Sequence, residues 1–156
     1  MLRLAPAALA ALALVGCDGS APAGPVPFAD LAVGDALRVE VTGTTVIRDR
    51  PSWERFWAAH VGVSGSDGTS PAAPEVDFNR QVVVGAFYGG SSRSGCTSEV
   101  DVVAAVRAEG GGLEVELAPL PELGPCRALV YPLDVAVVDV APSDALDVRF
   151  VGEVPR

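Results

Sequence analysis

Residues 82–88 have the sequence VVVGAFY, an apolar run that no charged residue interrupts. A strand with one face in water alternates apolar and polar side chains, whereas a strand covered on both faces does not need to. We therefore expect residues 82–88 to form the central strand of a sheet that carries other elements on both of its faces.

Shorter runs on either side of this stretch alternate apolar and polar residues with a period of two, as half-buried strands do. They lie at 37–42, 100–106, 113–117 and 146–150. The sequence EGGG at 109–112 favours a hairpin between the second and third of these runs. Residues 128–140 form a longer extended stretch, and Pro132 within it is expected at a sheet edge or a bulge. Gly43 marks a bulge or a turn.

One helix is expected, in the sequence DRPSWERFWAAH at residues 49–60. Asp49 and Pro51 provide the chemistry of a helix start. The residues that follow at helical spacing share one face: Trp53, Phe56, Trp57 and His60. Both tryptophans are interpreted as core residues, with a recognition surface as the alternative. About six strands and one short amphipathic helix predict an α+β, β-dominated fold, an antiparallel sheet or sandwich-like β domain.

The N-terminus has the architecture of a signal peptide. Arg3 is followed by the apolar run Leu4–Val15, which is shorter than the roughly 20 residues that a membrane-spanning helix needs. The run ends in LVGC at 14–17, which resembles the lipobox that precedes a lipid-modified cysteine. We expect residues 1–16 to be removed and Cys17 to become a lipidated N-terminus. The alternatives are an ordinary secretory signal with a chance cysteine and a cytoplasmic protein with an apolar N-terminus.

The rest of the chain divides into a tether and one domain. Residues 17–27, CDGSAPAGPVP, have the small-residue and proline-rich composition of a flexible linker. Residues 28–156 are expected to form a single domain, long enough to bury about two-thirds of its unfolded surface. The expected location of that domain is the cell envelope, outside the cytoplasm and anchored to a membrane through the lipid.

The formal net charge of the chain is −9, and all of its basic residues are arginines. No basic stripe exists that could displace the counterions of a nucleic acid, so nucleic-acid binding is disfavoured.

Two cysteines are left once Cys17 carries lipid. Cys96 and Cys126 form an even pair in an oxidising compartment, where disulfides persist, and we expect them to be bonded. Closing a loop of roughly 31 residues would stabilise the chain by about 3.7 kcal/mol. Two free buried thiols and a metal site are the alternatives. The metal reading lacks ligands, because the chain has one histidine and no CxxC pair.

The supply of catalytic groups is small. His60, the only histidine in the sequence, is expected to cap or pack the end of the helix. Ser91, Ser92 and Ser94 could in principle pair with it, but no G-x-S-x-G sequence leading into a helix surrounds them. No enzymatic activity and no cofactor are therefore expected.

The glycine-rich segment GGSSRSG at 89–95 is the candidate binding loop. Glycines expose backbone amides and Arg93 supplies a fork of donors, so the segment resembles an anion-cradling loop. The lysine of a phosphate-binding Walker sequence is missing, however, which favours a plain connection between strands. A ligand or partner contact through Gly89, Gly90, Arg93 and Gly95 is the alternative.

Four segments in this order resemble the PrcB C-terminal domain family. They are VIRDRPSWERFWAAH at 46–60, PEVDFNRQVVVGAFYGG at 74–90, GCTSEVDVVAAVRAEGGGLEVEL at 95–117 and YPLDVAVVDV at 131–140. The resemblance covers about residues 44–151. This sequence departs from the family at Gly95-Cys96, where much of the family has glycine followed by an aromatic residue, and that puts a role of the loop in doubt.

Members of this family are accessory subunits of a surface protease complex. The resemblance therefore implies a non-catalytic module that associates with or stabilises an envelope protein, such as a protease. Two other classes remain open: an envelope lipoprotein that binds a solute or a glycan, which a deep apolar pocket beside Arg93 would favour, and a divergent envelope hydrolase.

Overall fold

The computed structural model describes residues 23–33, 36–61, 70–89, 91–95, 99–121, 128–142 and 147–155. These residues form one helix, α1 (Arg50–His60), and ten strands. The strands are β1 (Gly24–Pro25), β2 (Phe28–Asp30), β3 (Thr42–Ile47), β4 (Val82–Tyr88), β5 (Ser91–Gly95), β6 (Val103–Glu109), β7 (Gly112–Leu117), β8 (Ala128–Val130), β9 (Leu133–Val138) and β10 (Val148–Gly152). The fold is β-dominated with one short helix, which confirms the predicted class.

The strands form two four-stranded sheets and a two-stranded ribbon. The central sheet has the order β2-β9-β4-β3, the outer sheet has the order β1-β6-β7-β10, and the β5–β8 ribbon joins the remaining two strands. Most pairs are antiparallel, but β10 lies parallel to β7. Parallel strands need a long crossover connection, and here the chain passes through β8 and β9 between β7 and β10.

The central strand β4 lies between β9 and β3 and is covered on both faces, as its sequence predicts. Val82, Val84 and Ala86 pack toward the outer sheet. Val83 and Phe87, which point the other way, pack toward the helix. The molecule therefore has three layers, with one apolar core on each side of the central sheet. This layering is why residues 82–88 show no alternation.

The outer sheet shows the opposite pattern. In β7 the side chains of Leu113, Val115 and Leu117 are buried, while Glu114 and Glu116 alternate with them on the outside. Arg107 pairs with Glu116 at 2.8 Å, and Arg149 pairs with Glu114. The solvent face of the outer sheet is thus charged, and the hairpin between β6 and β7 forms at Gly110 and Gly111, as expected.

Helix α1 begins where its sequence predicts. Asp49 caps it by accepting a hydrogen bond from the Ser52 backbone N–H at 2.7 Å. Trp53 and Trp57 are buried, which confirms them as core residues. Their indole N–H groups donate to the carbonyl oxygens of Pro74 at 2.9 Å and Pro71 at 2.8 Å. Two tryptophans therefore fix both the helix and the segment that follows it.

The structure corrects the expected strand at 37–42. Only Leu37 forms an isolated bridge, to Val61, and the Arg38 N–H donates to the His60 carbonyl. Residues 37–41 cover the end of the helix instead of joining a sheet, and Thr42 is the first residue of β3. Strand β3 starts later and runs through Gly43, which pairs regularly with Phe87, so Gly43 is neither a turn nor an interruption of the pairing.

The end of the expected tether also differs. Gly24 and Pro25 pair with Ala108 and Arg107 of β6, and the Val26 N–H donates to the Val106 carbonyl. Residues 24–26 therefore lie against the outer sheet, while the carbonyl of Pro27 accepts the Asp139 N–H at the end of β9. Cys17 and the rest of the expected signal peptide and tether, up to residue 22, lie outside the described residues.

Candidate interaction site at the β5–β8 ribbon

The β5–β8 ribbon contains most of the predicted binding loop. Strand β5 follows β4 and β8 precedes β9, and β4 and β9 are themselves paired, so the ribbon continues the two middle strands of the central sheet. Ser91 pairs with Val130 and Gly95 with Ala128, with an irregular register between them. Residues 91–95 are thus a strand and not the plain connecting loop that the sequence predicts. The sequence does not indicate this strand, because glycine has a low strand propensity.

A sharp break separates the ribbon from the central sheet. Gly89 is buried and has φ +65°, a conformation that favours glycine. A Cβ atom at Gly89 would lie 2.9 Å from Cγ2 of Thr42. On the partner strand, the carbonyl of Pro132 accepts the Tyr88 N–H at 2.9 Å. Gly89 is therefore a structural pivot. Gly90 lies outside the described residues, and the side chain of Arg93 is not described.

The surface around the ribbon carries the exposed apolar side chains. Among the described residues, the large hydrophobic side chains with high exposure are Val41, 65% exposed, and Leu129, 62% exposed. Leu129 lies on β8. Two residues further along the chain, the Tyr131 ring lies under the Arg38 guanidinium, whose central carbon is 4.7 Å from the ring centroid. This end of the molecule thus combines an exposed aliphatic group with a cation and an aromatic ring, which are common contact groups at protein interfaces.

A buried carboxylate supports the same end of the central sheet. Asp134, in β9, is 3% exposed, and its Oδ2 accepts the backbone N–H groups of Val102 and Val103, each at 2.7 Å. The chain crosses there from the central sheet to the outer sheet, since Val100 still donates to the Leu133 carbonyl and β6 begins at Val103. Asp134 thereby satisfies two donors that the crossing would otherwise leave unpaired.

Burial raises the pKa of Asp134, and the nearby carboxylates of Asp30 and Asp101 raise it further, although the two backbone hydrogen bonds act in the opposite direction. The pKa of Asp30 is raised too, first by burial and then by Asp101 and Glu99. Tyr88 has a raised pKa because of burial and of the carboxylates of Asp134 and Glu153. Its hydroxyl has no hydrogen-bond partner among the described residues. The end of the central sheet next to the ribbon therefore carries several carboxylates, and Asp134 among them is buried.

Asp134 binds two backbone N–H groups and so holds the crossing between the sheets in place. Asp134 has no nucleophile or histidine beside it in the contacts described above. The imidazole of His60 packs against Phe56 at the end of α1, with ring centroids 4.8 Å apart. Within the described ranges, no group of three or more His, Cys, Asp or Glu side chains is placed to hold a metal ion.

A shallow groove lies beside β2, the edge strand of the central sheet that is furthest from β3. Its volume is about 270 Å³, and it is lined by Phe28, Asp30, Leu31, Glu75, Gln81 and Asp139, among others. Gln81 donates to Asp139 across it at 2.7 Å. Small-molecule pockets are usually about 300–1,000 Å³ and mainly apolar, whereas this groove is small and rich in carboxylates.

Comparison of the chain with protein-family models, with curated proteins and with solved structures found no match in any of the three. In the part of the chain that the structure describes, no helix is both long and apolar enough to cross a membrane.

Sequence reasoning missed Asp134. A signal exists, because Asp134 interrupts the otherwise apolar run LDVAVV at 133–138 and a carboxylate is rarely fully buried without a partner. Its partners, Val102 and Val103, are some 30 residues away in the chain, as the hydrogen bonds show. Only the folded structure connects them.

Proposed function

We propose that this protein is a lipid-anchored, non-catalytic interaction module of the bacterial cell envelope, which binds and stabilises another envelope protein through the β5–β8 ribbon. The PrcB resemblance suggests a surface or periplasmic protease as the partner class. The observation that carries the proposal is the exposed Leu129 on a ribbon that continues two buried strands. The ribbon is held at its base, because the strands that lead into it, β4 and β9, are paired with each other in the central sheet.

The proposed anchor is Cys17, and the support for it is the sequence LVGC at 14–17 after a short apolar run. Two or more acyl chains give stable membrane attachment, because each buried CH₂ contributes about 0.8 kcal/mol. Metabolic labelling with a fatty-acid analogue tests this step. We expect label on the wild type and none on Cys17→Ser, and label retained on the variant would exclude lipidation at Cys17.

The proposed disulfide joins Cys96 and Cys126, which both lie outside the described residues. The pairing of Gly95 with Ala128 supports it, because Cys96 directly follows Gly95 and Cys126 lies two residues before Ala128. A disulfide there would close the far end of the ribbon. Mass spectrometry of the non-reduced protein is expected to show both thiols protected, and stoichiometric alkylation of either cysteine in the native protein would contradict the bond.

Site-specific photo-crosslinking tests the interaction itself. A photoreactive residue at position 129 of the full chain is expected to crosslink one discrete envelope protein in intact cells. The matched control places the same residue at Glu54, which is exposed on α1 and is expected to give no such product. Leu129→Asp should abolish the product without lowering the melting temperature. Equal crosslinking from both positions would contradict a role of the ribbon.

The alternative, binding of a solute or glycan, has weaker support. The groove beside β2 is small and lined by several carboxylates, which does not suit an apolar or anionic ligand.

A further inference from the structure

The chain enters the domain at one end of the outer sheet. Gly24 pairs with Ala108, the last residue but one of β6. The Val26 N–H then donates to the Val106 carbonyl at 2.8 Å. Strand β1 therefore runs from the hairpin end of β6 toward the start of β6. The segment that precedes Gly24 meets the domain beside the β6–β7 hairpin.

The β5–β8 ribbon lies at the other end of the domain. Strand β6 begins at Val103, whose N–H donates to Asp134, the second residue of β9. The ribbon leads into β9 at this end, because β8 directly precedes β9 in the chain. Phe28, which follows β1, pairs instead with Val138, the last residue of β9. The pairs in both sheets therefore place β1 and the ribbon at opposite ends.

The distance between these ends follows from the length of β6. Ala108 lies five residues after Val103, and a strand rises about 3.3 Å per residue, so about 17 Å separate the level of Gly24 from the level of Asp134. The ribbon begins beyond that level, before Leu133, the first residue of β9. The base of the ribbon is therefore about 20 Å from the point where the chain enters the domain.

The proposed anchor leaves little chain before the domain begins. Cys17 lies seven residues before Gly24. Because an extended chain spans at most about 3.6 Å per residue, Gly24 lies within about 25 Å of the lipidated cysteine. The acyl chains hold that cysteine at the bilayer surface. To bring the ribbon to the bilayer, residues 18–23 would have to extend almost fully along the side of the domain, at a cost in conformational entropy.

We propose that the lipid anchor holds the domain with its β6–β7 hairpin toward the membrane and its ribbon end away from it. This orientation rests on the proposed lipidation of Cys17. It also specifies the part of the partner that the ribbon binds. The ribbon meets an extramembrane domain of an envelope protein, about 20 Å or more from the bilayer, and not a membrane-embedded segment.

Charge at the hairpin end does not supply this orientation. Glu109, Glu114 and Asp147 lie there around Arg149. Anionic lipids attract clusters of Lys and Arg, so they would repel this surface. The length of residues 18–23 therefore sets the orientation, and a longer connection should release the domain.

Energy transfer to labelled lipids tests the orientation. The full lipidated chain is added to preformed phosphatidylcholine vesicles that carry an acceptor dye on lipid headgroups. A fluorescent unnatural amino acid replaces either Glu109, which is exposed at the hairpin end, or Leu129, which is exposed on the ribbon, and circular dichroism checks folding. We expect transfer several-fold greater from position 109 than from position 129. In a matched chain with a long Gly/Ser insertion between Ser20 and Ala21, the two positions should give similar transfer.

The outcomes separate the orientation from the proposed function. Equal transfer from the two positions in a chain that carries fatty-acid label, or greater transfer from position 129, would overturn the orientation and leave the anchor standing. A chain without fatty-acid label would overturn both. A difference that survives the insertion would overturn the role of the short connection. Photo-crosslinking from position 129 tests the partner of the ribbon separately.

Discussion

Asp134 is a buried charged side chain in the described part of the chain. Substitutions can separate its role as a hydrogen-bond acceptor from its charge. Asp134→Ala leaves the N–H groups of Val102 and Val103 without an acceptor. Because each unsatisfied buried donor costs about 1–3 kcal/mol, we expect a loss of about 2–5 kcal/mol in the free energy of unfolding, measured by urea denaturation. Asp134→Asn keeps an acceptor oxygen and should lose much less. Equal losses from both variants would contradict this role.

The free energy of unfolding of the wild type and of Asp134→Asn should also depend differently on pH. The pKa of Asp134 is raised in the folded state above the ordinary value of 3.8, so the folded protein holds the proton more tightly than the unfolded chain. Its contribution to stability is therefore largest at low pH and falls as the pH rises from about 4 through the folded pKa. The stability of the wild type relative to Asp134→Asn should fall over that range. A difference independent of pH would exclude the linkage.

Substitutions at Gly89 can distinguish the cost of a positive φ from the cost of a steric contact with Thr42. Gly89→Ala must adopt a positive φ and also meets Cγ2 of Thr42. Gly110→Ala is the matched control, since Gly110 has φ +58° but open space around it. The left-handed conformation costs about 1–2 kcal/mol for a side chain, and we expect Gly89→Ala to lose more than Gly110→Ala in thermal unfolding. Adding Thr42→Ser should recover part of the difference, and equal losses at the two glycines would argue against the contact.

At the scale of elements, helix α1 and the segment at 71–76 depend on each other. Trp53→Ala removes a fully buried aromatic side chain and should cost about 3–5 kcal/mol. Trp57→Phe keeps most of the apolar contact but loses the hydrogen bond to Pro71, worth about 0.5–1.5 kcal/mol. In Trp57→Phe, amide hydrogen exchange should accelerate at residues 70–73 more than in β7. Uniform acceleration would show that the loss is global and not local.

At the scale of the whole molecule, the central sheet separates two cores that should be of similar importance. Val83 faces the helix and Val84 faces the outer sheet, and both are fully buried. Val83→Ala and Val84→Ala should each cost about 1.5–3 kcal/mol in urea denaturation. Glu116→Ala, on the exposed face of the outer sheet, is the control and should change stability by about 0.5 kcal/mol or less. A negligible loss at Val83 would contradict a true core under the helix.

The features that depend on neighbouring residues could be predicted from the sequence. The unalternating run at 82–88 indicates a strand covered on both faces, Asp49 and Pro51 set the start of the helix, and the glycines at 110–112 set the hairpin. Each follows from local chemistry: side-chain periodicity, capping of free N–H groups and glycine at positive φ. The fold class follows from the sum of these features.

The contacts between distant segments could not be predicted from the sequence and are known from the folded structure. The parallel pairing of β10 with β7, the strand at 91–95, the docking of Gly24 and Pro25, and the partners of Asp134 all join residues far apart in the chain. Such pairings depend on the shape left by the rest of the fold and on which backbone groups remain unpaired. A single sequence does not contain that information in any local pattern, because the same alternating run can pair with either neighbour in either direction.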